Sequence, residues 1–340
     1  MNLLVTGAAG FIGSHFVRLV QRVRPTWNVF IVDALTYSGN ESTMVDLLSA
    51  GARFFHARIE DRAAIAKIIE ENAVTHIVNF AAESHNDRSL QGSSFLTSNA
   101  FGVEVLAHLT KEYKLERLLQ VSTDEVYGSI AEGQFYETTP IAPNTPYSAS
   151  KAAGEMVCRA HWKAFQTPIV VTRGGNTYGP YQYPEKLIPF FTVRLLLDKK
   201  VPLYGDGSQI REWIHVEDHA AGILAALEHG ILGEAYNVGD DNERENRETV
   251  QLLLAATGQG NALVKSIEDP RKGAHDARYS MNTAKLRSLG WEPKVPFDRG
   301  LTETVEWYKA NTSWWSELLN NASYQDFIRQ FYGKSLGADL

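Results

Sequence analysis

Asn2-Leu3-Leu4-Val5-Thr6-Gly7-Ala8-Ala9-Gly10-Phe11-Ile12-Gly13 decides the reading of the fold. Asn2 to Thr6 is apolar and short, as expected of a buried strand. From Phe11 to Val23 the apolar residues Phe11, Ile12, Phe16, Leu19, Val20 and Val23 recur at helical spacing. Between them lies a glycine turn spaced GxxGxxG, looser than the GxGxxG of the standard dinucleotide fingerprint. A glycine-rich turn that opens a helix gathers unpaired N–H groups and the positive end of the helix dipole at one point, which suits a pyrophosphate. The next strand, Val29 to Val32, ends in Asp33, about twenty residues after Gly13. A carboxylate there accepts both ribose hydroxyls of NAD and repels a 2′-phosphate.

The alternation continues through the first half of the chain. Strands are expected at Ala52–His56, Thr75–Phe80, Leu118–Val121 and Pro168–Arg173, with helices at Ala63–Glu71, Phe101–Tyr113 and Tyr147 to about Phe165. This pattern implies an α/β fold with a doubly wound, Rossmann-type parallel sheet over residues 1–175. Residues 176–340 read as a smaller C-terminal α/β substrate lobe that shares a cleft with the first unit. Its expected elements are helices Leu187–Leu197 and Val216–Glu228, a strand near Pro202–Tyr204, a strand at Ala235–Val238 and a helical turn at Thr302–Tyr308. The aromatics Trp307, Tyr308, Trp314 and Trp315 read as packing anchors.

The chain has 340 residues, 44% hydrophobic and 21% charged, with a net charge of −7. That balance is ordinary for a globular protein and argues against nucleic acid or an anionic membrane as partner. One cysteine, Cys158, rules out a disulfide within the chain and fits a reducing compartment. No targeting segment or membrane span is read, so a cytoplasmic location is expected. No metal is implied.

The chemistry concentrates in Ser122-Thr123-Asp124-Glu125-Val126-Tyr127-Gly128 and Tyr147-Ser148-Ala149-Ser150-Lys151. The strand before Ser122 delivers a hydroxyl and two adjacent acids to the carboxyl edge of the sheet, where such folds bind ligands. Like charges at close range push one carboxyl pKa up, and two separated pKa values make an acid and a base. Tyr147 and Lys151 share one helix face. A lysine ammonium beside a phenol favours the phenolate, although a YxxxK pair can equally be an exposed helix face.

The glycine motif, Asp33, the Tyr147/Lys151 pair and the C-terminal lobe together resemble the extended short-chain dehydrogenase/reductase family of nucleotide-sugar enzymes, and within it the 4,6-dehydratases. Further matching blocks are Ala81-Ala82-Glu83-Ser84-His85, Tyr178-Gly179-Pro180-Tyr181, Pro184 to Pro189, Gln209-Ile210-Arg211 and Val216-Glu217-Asp218-His219. The resemblance implies a lyase that dehydrates a nucleoside-diphosphate hexose, dTDP-glucose first, with UDP-glucose or UDP-N-acetylglucosamine as alternatives. Thr123, Asp124, Glu125, Tyr147 and Lys151 would be catalytic. Tyr147 would take the C4 hydroxyl proton, Thr123 would bond that oxygen, Glu125 would remove the C5 proton and protonated Asp124 would assist loss of the C6 hydroxyl. A tightly held NAD would lie against Gly7, Gly10, Phe11, Ile12, Gly13, Asp33, Ala34, Leu35, Thr36, Arg58, Ile59, Phe80, Ala81, Ala82, Ser98, Tyr147, Lys151 and Thr177. The nucleotide sugar would meet Ser84, Thr123, Asn176, Lys186, Leu187, Pro202, Tyr204, Arg211, Asn246, Arg271 and His275. The resemblance also implies a homodimer that pairs helices near 95–113 and 149–165.

Four departures stand out. Arg58 replaces an acid, Asn86 replaces a valine, Gly174-Gly175-Asn176-Thr177 replaces a Cys-Ser-Asn-Asn run, and Arg271–Asp276 carries one extra residue. A C4 epimerase would use the same tyrosine but leave the acid pair idle, and a non-catalytic NAD-bound protein would leave both sets idle.

Overall fold

Strand alternation in β1 (Asn2–Thr6) sends Leu3 and Val5 to one face of a sheet and Leu4 to the other. Both faces are therefore apolar, and the strand needs a layer of helices on each side. A computed structural model of the chain describes residues 1–84, 89, 95–269 and 278–337. Beside β1, the strands β2 (Asn28–Asp33), β3 (Arg53–His56), β4 (His76–Asn79), β5 (Arg117–Thr123) and β6 (Ile169–Gly174) lie close to where the periodicity puts them. Through three further strands, β7 (Asn176–Tyr178), β8 (Val201–Tyr204) and β9 (Ile210–His215), the chain then reaches β10 (Ala235–Val238). The main sheet has seven strands in the order β10-β6-β5-β4-β1-β2-β3, every neighbour parallel. Strand order reverses between β1 and β4, which opens a crevice at their carboxyl ends.

Helix α1 (Phe11–Val23) follows the glycine turn and packs beside Val216–His229 on one face of the sheet. On the other face lie Arg62–Glu71, Val103–Glu112 and Pro146–Phe165. The last of these begins with Pro146 at its first turn and with Thr145 capping the Ser148 amide, so the proline-rich crossing ends in a defined helix start. Ahead of Val103, the expected helix opens instead as a π-helical turn, Thr97–Gly102. That turn aims Asn99 inward, where its amide spans Glu83 and donates to Ser150 Oγ at 2.8 Å.

The remainder forms the smaller lobe. A three-stranded sheet orders β11 (Glu243–Glu245), β9 and β7, and a two-stranded one pairs β8 with β12 (Val264–Ile267). Helices Leu187–Leu196, Asn246–Thr257, Phe297–Ala310 and Ala322–Leu336 enclose its own apolar core. Trp307, Tyr308, Trp314 and Trp315 pack with Tyr181 and Val193. The two units do not meet at a single boundary at 175/176. Helix Val216–His229 and strand β10 return to the seven-stranded sheet, because their apolar faces complete its outer layer and edge. Cys158 is buried among the apolar residues beneath Pro146–Phe165.

One buried ion pair ties the sheet to the helix that carries Tyr147 and Lys151. Arg173, near the end of β6, holds both oxygens of Glu155 at 2.7–3.2 Å and donates to the Tyr127 hydroxyl at 2.7 Å. Both side chains are shielded from water, so removal of one partner strands the other charge. Glu155→Ala is expected to lower stability by about 3–5 kcal/mol, read as a lower urea midpoint at unchanged m-value.

Candidate active site

The carboxyl ends of β1, β2, β4, β5 and β6 open onto one elongated cleft, floored by the sheet and closed by the smaller lobe. At one end is the glycine turn. Gly7 has φ +74°, and a Cβ there would sit 2.5 Å from the Ala81 amide nitrogen, so the turn lies directly on the end of β4. A Cβ on Gly13 would sit 2.5 Å from the Gly7 carbonyl oxygen. Helix α1 starts at Gly10 with no side-chain cap, which leaves its first amides for an anion. Asp33 closes β2, its carboxylate accepting from the Ala9 and Leu35 amides at 3.0 and 2.8 Å. Burial nevertheless raises its pKa.

In the middle of the cleft, Thr123 caps the turn Asp124–Tyr127, its oxygen accepting from the Glu125 amide at 3.3 Å. Its hydroxyl donates to Asp124 Oδ1 at 3.1 Å and is hydrogen-bonded to Tyr147. Asp124 is buried, and its Oδ2 has no partner among the described residues. Burial, then Glu125, then Glu212 push its pKa well above the usual carboxylate range, which favours the protonated acid. Glu212 was not singled out by the sequence. It accepts amides of Asp240, Asp241 and Met281 and is itself raised to about 7 by burial.

Tyr147 and Lys151 line the same cleft, but the phenol is not lowered in the way their spacing suggests. Burial, Glu125 and Asp124 raise the Tyr147 pKa. The Lys151 ammonium instead donates to the Val121 carbonyl of β5 at 2.7 Å, and burial lowers it to about 8 against the pull of Glu155 and Cys158.

Of the expected contacts, Gly7, Gly10, Phe11, Ile12, Gly13, Asp33, Ala34, Thr36, Arg58, Ile59, Phe80, Ala81, Ala82, Ser98 and Thr177 line the cleft. Leu35 does not; its side chain packs on the core beside α1 and only its amide serves Asp33. Ser84, Asn176, Lys186, Leu187, Pro202, Tyr204, Arg211 and Asn246 line the half toward the smaller lobe. Lys186 Nζ donates to the Ser84 carbonyl at 2.9 Å, and Arg211 lies over the Tyr279 ring. Arg271, His275 and Asn86 lie outside the described residues. Arg58 approaches Glu60, which accepts from Ser98 Oγ at 2.6 Å, so an acid still lines this end two residues beyond the expected position.

The structure adds Glu60, His219, Tyr279 and Tyr332 to the lining. His219 sits in a block the sequence flagged but gave no role, whereas nothing local marks Tyr332, which arrives from the C-terminal helix. Asn176 Oδ1, Asn246 Oδ1 and His219 Nε2 join Asp124 Oδ2 as buried polar atoms without a partner among the described residues. A glycine cradle with free amides, an acid at the end of β2 and orphaned polar atoms along the wall fit a dinucleotide and a second polar ligand.

The comparisons agree with this geometry. Residues 4–304 match the family model described as GDP-mannose 4,6 dehydratase. The dTDP-glucose 4,6-dehydratase of Streptomyces niveus is 43% identical over 325 residues, 94% of this chain and 96% of that protein. The dTDP-glucose 4,6-dehydratase structure from Streptomyces venezuelae with NAD and TYD bound superposes with a TM-score of 0.90 at 44% identity, covering 94% of this chain and all of that one. The Bacillus anthracis dTDP-glucose 4,6-dehydratase in complex with NAD gives 0.87 at 44% identity, covering 94% and 99%.

A reaction that needs the Lys151 cation loses rate as pH rises through about 8, because deprotonation there removes the charge. The alkaline limb of kcat/KM is expected near that pH. Glu155→Gln removes a charge that raises Lys151 and should move the limb to lower pH.

Proposed function

The chain belongs to the GDP-mannose 4,6-dehydratase family of nucleotide-sugar enzymes, and we propose that it is an NAD-dependent lyase that removes water across C5 and C6 of dTDP-glucose. The observation that carries this reading is the acid pair at the end of β5, with Asp124 buried beside Thr123 and Tyr147 and its pKa pushed up by that burial. NAD, when bound, would supply a hydride acceptor and donor and a cationic ring, held in the cleft that Tyr147 and Lys151 line.

Tyr147 takes the proton of the C4 hydroxyl as C4 becomes a ketone, with Thr123 hydrogen-bonded to that oxygen. A buried phenol between two carboxyls releases its own proton first only with cationic charge nearby, and Lys151, one helical turn on, adds to it. The ketone acidifies the C5 hydrogen, and Glu125 removes it. Asp124 gives its proton to the C6 hydroxyl, which leaves as water, and a C5–C6 double bond forms. Glu125 returns a proton to C5 as C6 is reduced, which leaves the 4-keto-6-deoxy sugar. Residues 1–175 mainly hold NAD and residues 176–340 mainly the nucleotide sugar, with Lys186 and Arg211 suited to its diphosphate.

The protein acts as a homodimer in the cytoplasm in this reading. Leu96, Phe101, Met156 and Phe165 are large apolar side chains exposed on or beside the two adjacent helices 103–112 and 146–165, and such a cluster favours a second copy with the same face. The one cysteine is free, and among the described residues no helix is long and apolar enough to cross a membrane.

Incubation with dTDP-glucose in D2O is expected to give loss of one water and one deuterium at C5 by mass spectrometry. UDP-glucose and UDP-N-acetylglucosamine are the controls for the nucleotide and the C2 substituent. Glu125→Gln should stop at the 4-keto hexose, which has lost two hydrogens and no water, with overall turnover down by about 10²–10⁴. Inversion at C4 without water loss would refute the reading. Sedimentation should give the mass of two chains, and Phe101→Glu with Met156→Glu should give one.

A further inference from the structure

His219 enters the cleft wall from helix Val216–His229, beside the last residue of β6. Its ring is 2% exposed, and burial keeps it neutral by lowering its pKa to about 4. Nδ1 lies 2.7 Å from Thr177 Oγ1, while the Thr177 hydroxyl donates its one proton to the Gly175 carbonyl at 3.1 Å. With the hydroxyl proton on Gly175, Oγ1 accepts from Nδ1–H, which is the tautomer assigned to the ring. Nε2 is left as a bare acceptor, buried and without a partner among the described residues.

The ring occupies this place because residue 174 is glycine. A Cβ at Gly174 would lie 2.3 Å from His219 Cε1 and 2.5 Å from Nε2, so any side chain there displaces the imidazole. Gly174, Thr177, Tyr147 and Lys151 bound the same part of the cleft, beyond the β4 end and away from the glycine turn that suits the pyrophosphate. A buried acceptor without a donor is unfavourable unless a ligand completes it. The ligand group that belongs between a pyrophosphate on the glycine turn and a reacting centre at Tyr147 is the nicotinamide, whose carboxamide carries N–H donors.

We propose that His219 Nε2 accepts a hydrogen bond from the nicotinamide carboxamide N–H, so that His219, oriented by Thr177 and admitted by Gly174, is a cofactor-positioning residue. This rests on the reading that NAD occupies the cleft.

The test sets NAD against 3-acetylpyridine adenine dinucleotide, in which a methyl ketone replaces the carboxamide and the N–H donors are lost. Full-length protein is equilibrated with an equimolar mixture, and native mass spectrometry reads the bound fraction of each. Wild type should prefer NAD by about tenfold, the worth of one buried hydrogen bond. His219→Phe should bind both alike, and His219→Gln, which returns a polar group near the position of Nε2, should recover the preference. Gly174→Ala leaves His219 in place chemically but displaces its ring, and should also abolish the preference even where His219→Phe does not fold. A wild-type protein without preference, or one whose preference survives both His219→Phe and Gly174→Ala, overturns the inference. A loss confined to the KM for the nucleotide sugar would assign Nε2 to a sugar hydroxyl and overturn it as well. Binding of neither dinucleotide would remove the NAD reading itself, and the inference with it.

Discussion

Two carboxyl groups placed side by side at the dry end of β5 are the constraint on which the rest depends. A buried carboxylate is costly, and two adjacent ones cannot both ionise without further cost. Arg211 opposes this at Asp124, more weakly than burial, Glu125 and Glu212 act. The protein buries Asp124, sets Glu212 near it and gives it a hydrogen bond from Thr123. The outcome is a neutral acid beside an acid of the opposite role, as acid–base catalysis at one site requires.

That arrangement has to be held from outside. The turn Asp124–Tyr127 leads into the Tyr127 ring, which stacks on Phe135 and hydrogen-bonds Asn237 and Arg173. Arg173 in turn grips Glu155, on the helix that bears Tyr147 and Lys151. The acid pair and the tyrosine–lysine pair are thus fixed to each other through one buried polar network that spans β5, β6, β10 and a helix. Such a network specifies geometry when every member is satisfied. The return of β10 to the main sheet is part of it, since Asn237 sits on that strand.

Much of this was legible in the sequence where the signal is local. The strand, glycine turn and helix from Asn2 to Val23 follow from periodicity and composition, and the structure gives the same bounds for both elements. The acid pair and Tyr147/Lys151 could be found because strand ends and helix faces are predictable. Long-range facts were not legible. Nothing in Ala235–Val238 says that it pairs with β6 instead of staying in the smaller lobe, because a short apolar strand fits either sheet. Spacing alone put Lys151 next to the Tyr147 phenol, whereas burial and the Val121 carbonyl decide what its ammonium does. The tautomer of His219 depends on Thr177 and Gly175 and the place of its ring on Gly174, residues more than forty positions away that only the fold brings together.

The central claim is that desolvation keeps Asp124 protonated at neutral pH. Infrared difference spectroscopy between wild type and Asp124→Asn reads it directly through the C=O stretch of a neutral carboxylic acid. The account predicts such a band at pH 7 in wild type that Asp124→Asn removes and Glu125→Gln keeps. A wild-type spectrum with only ionised carboxylate bands from this residue would contradict it.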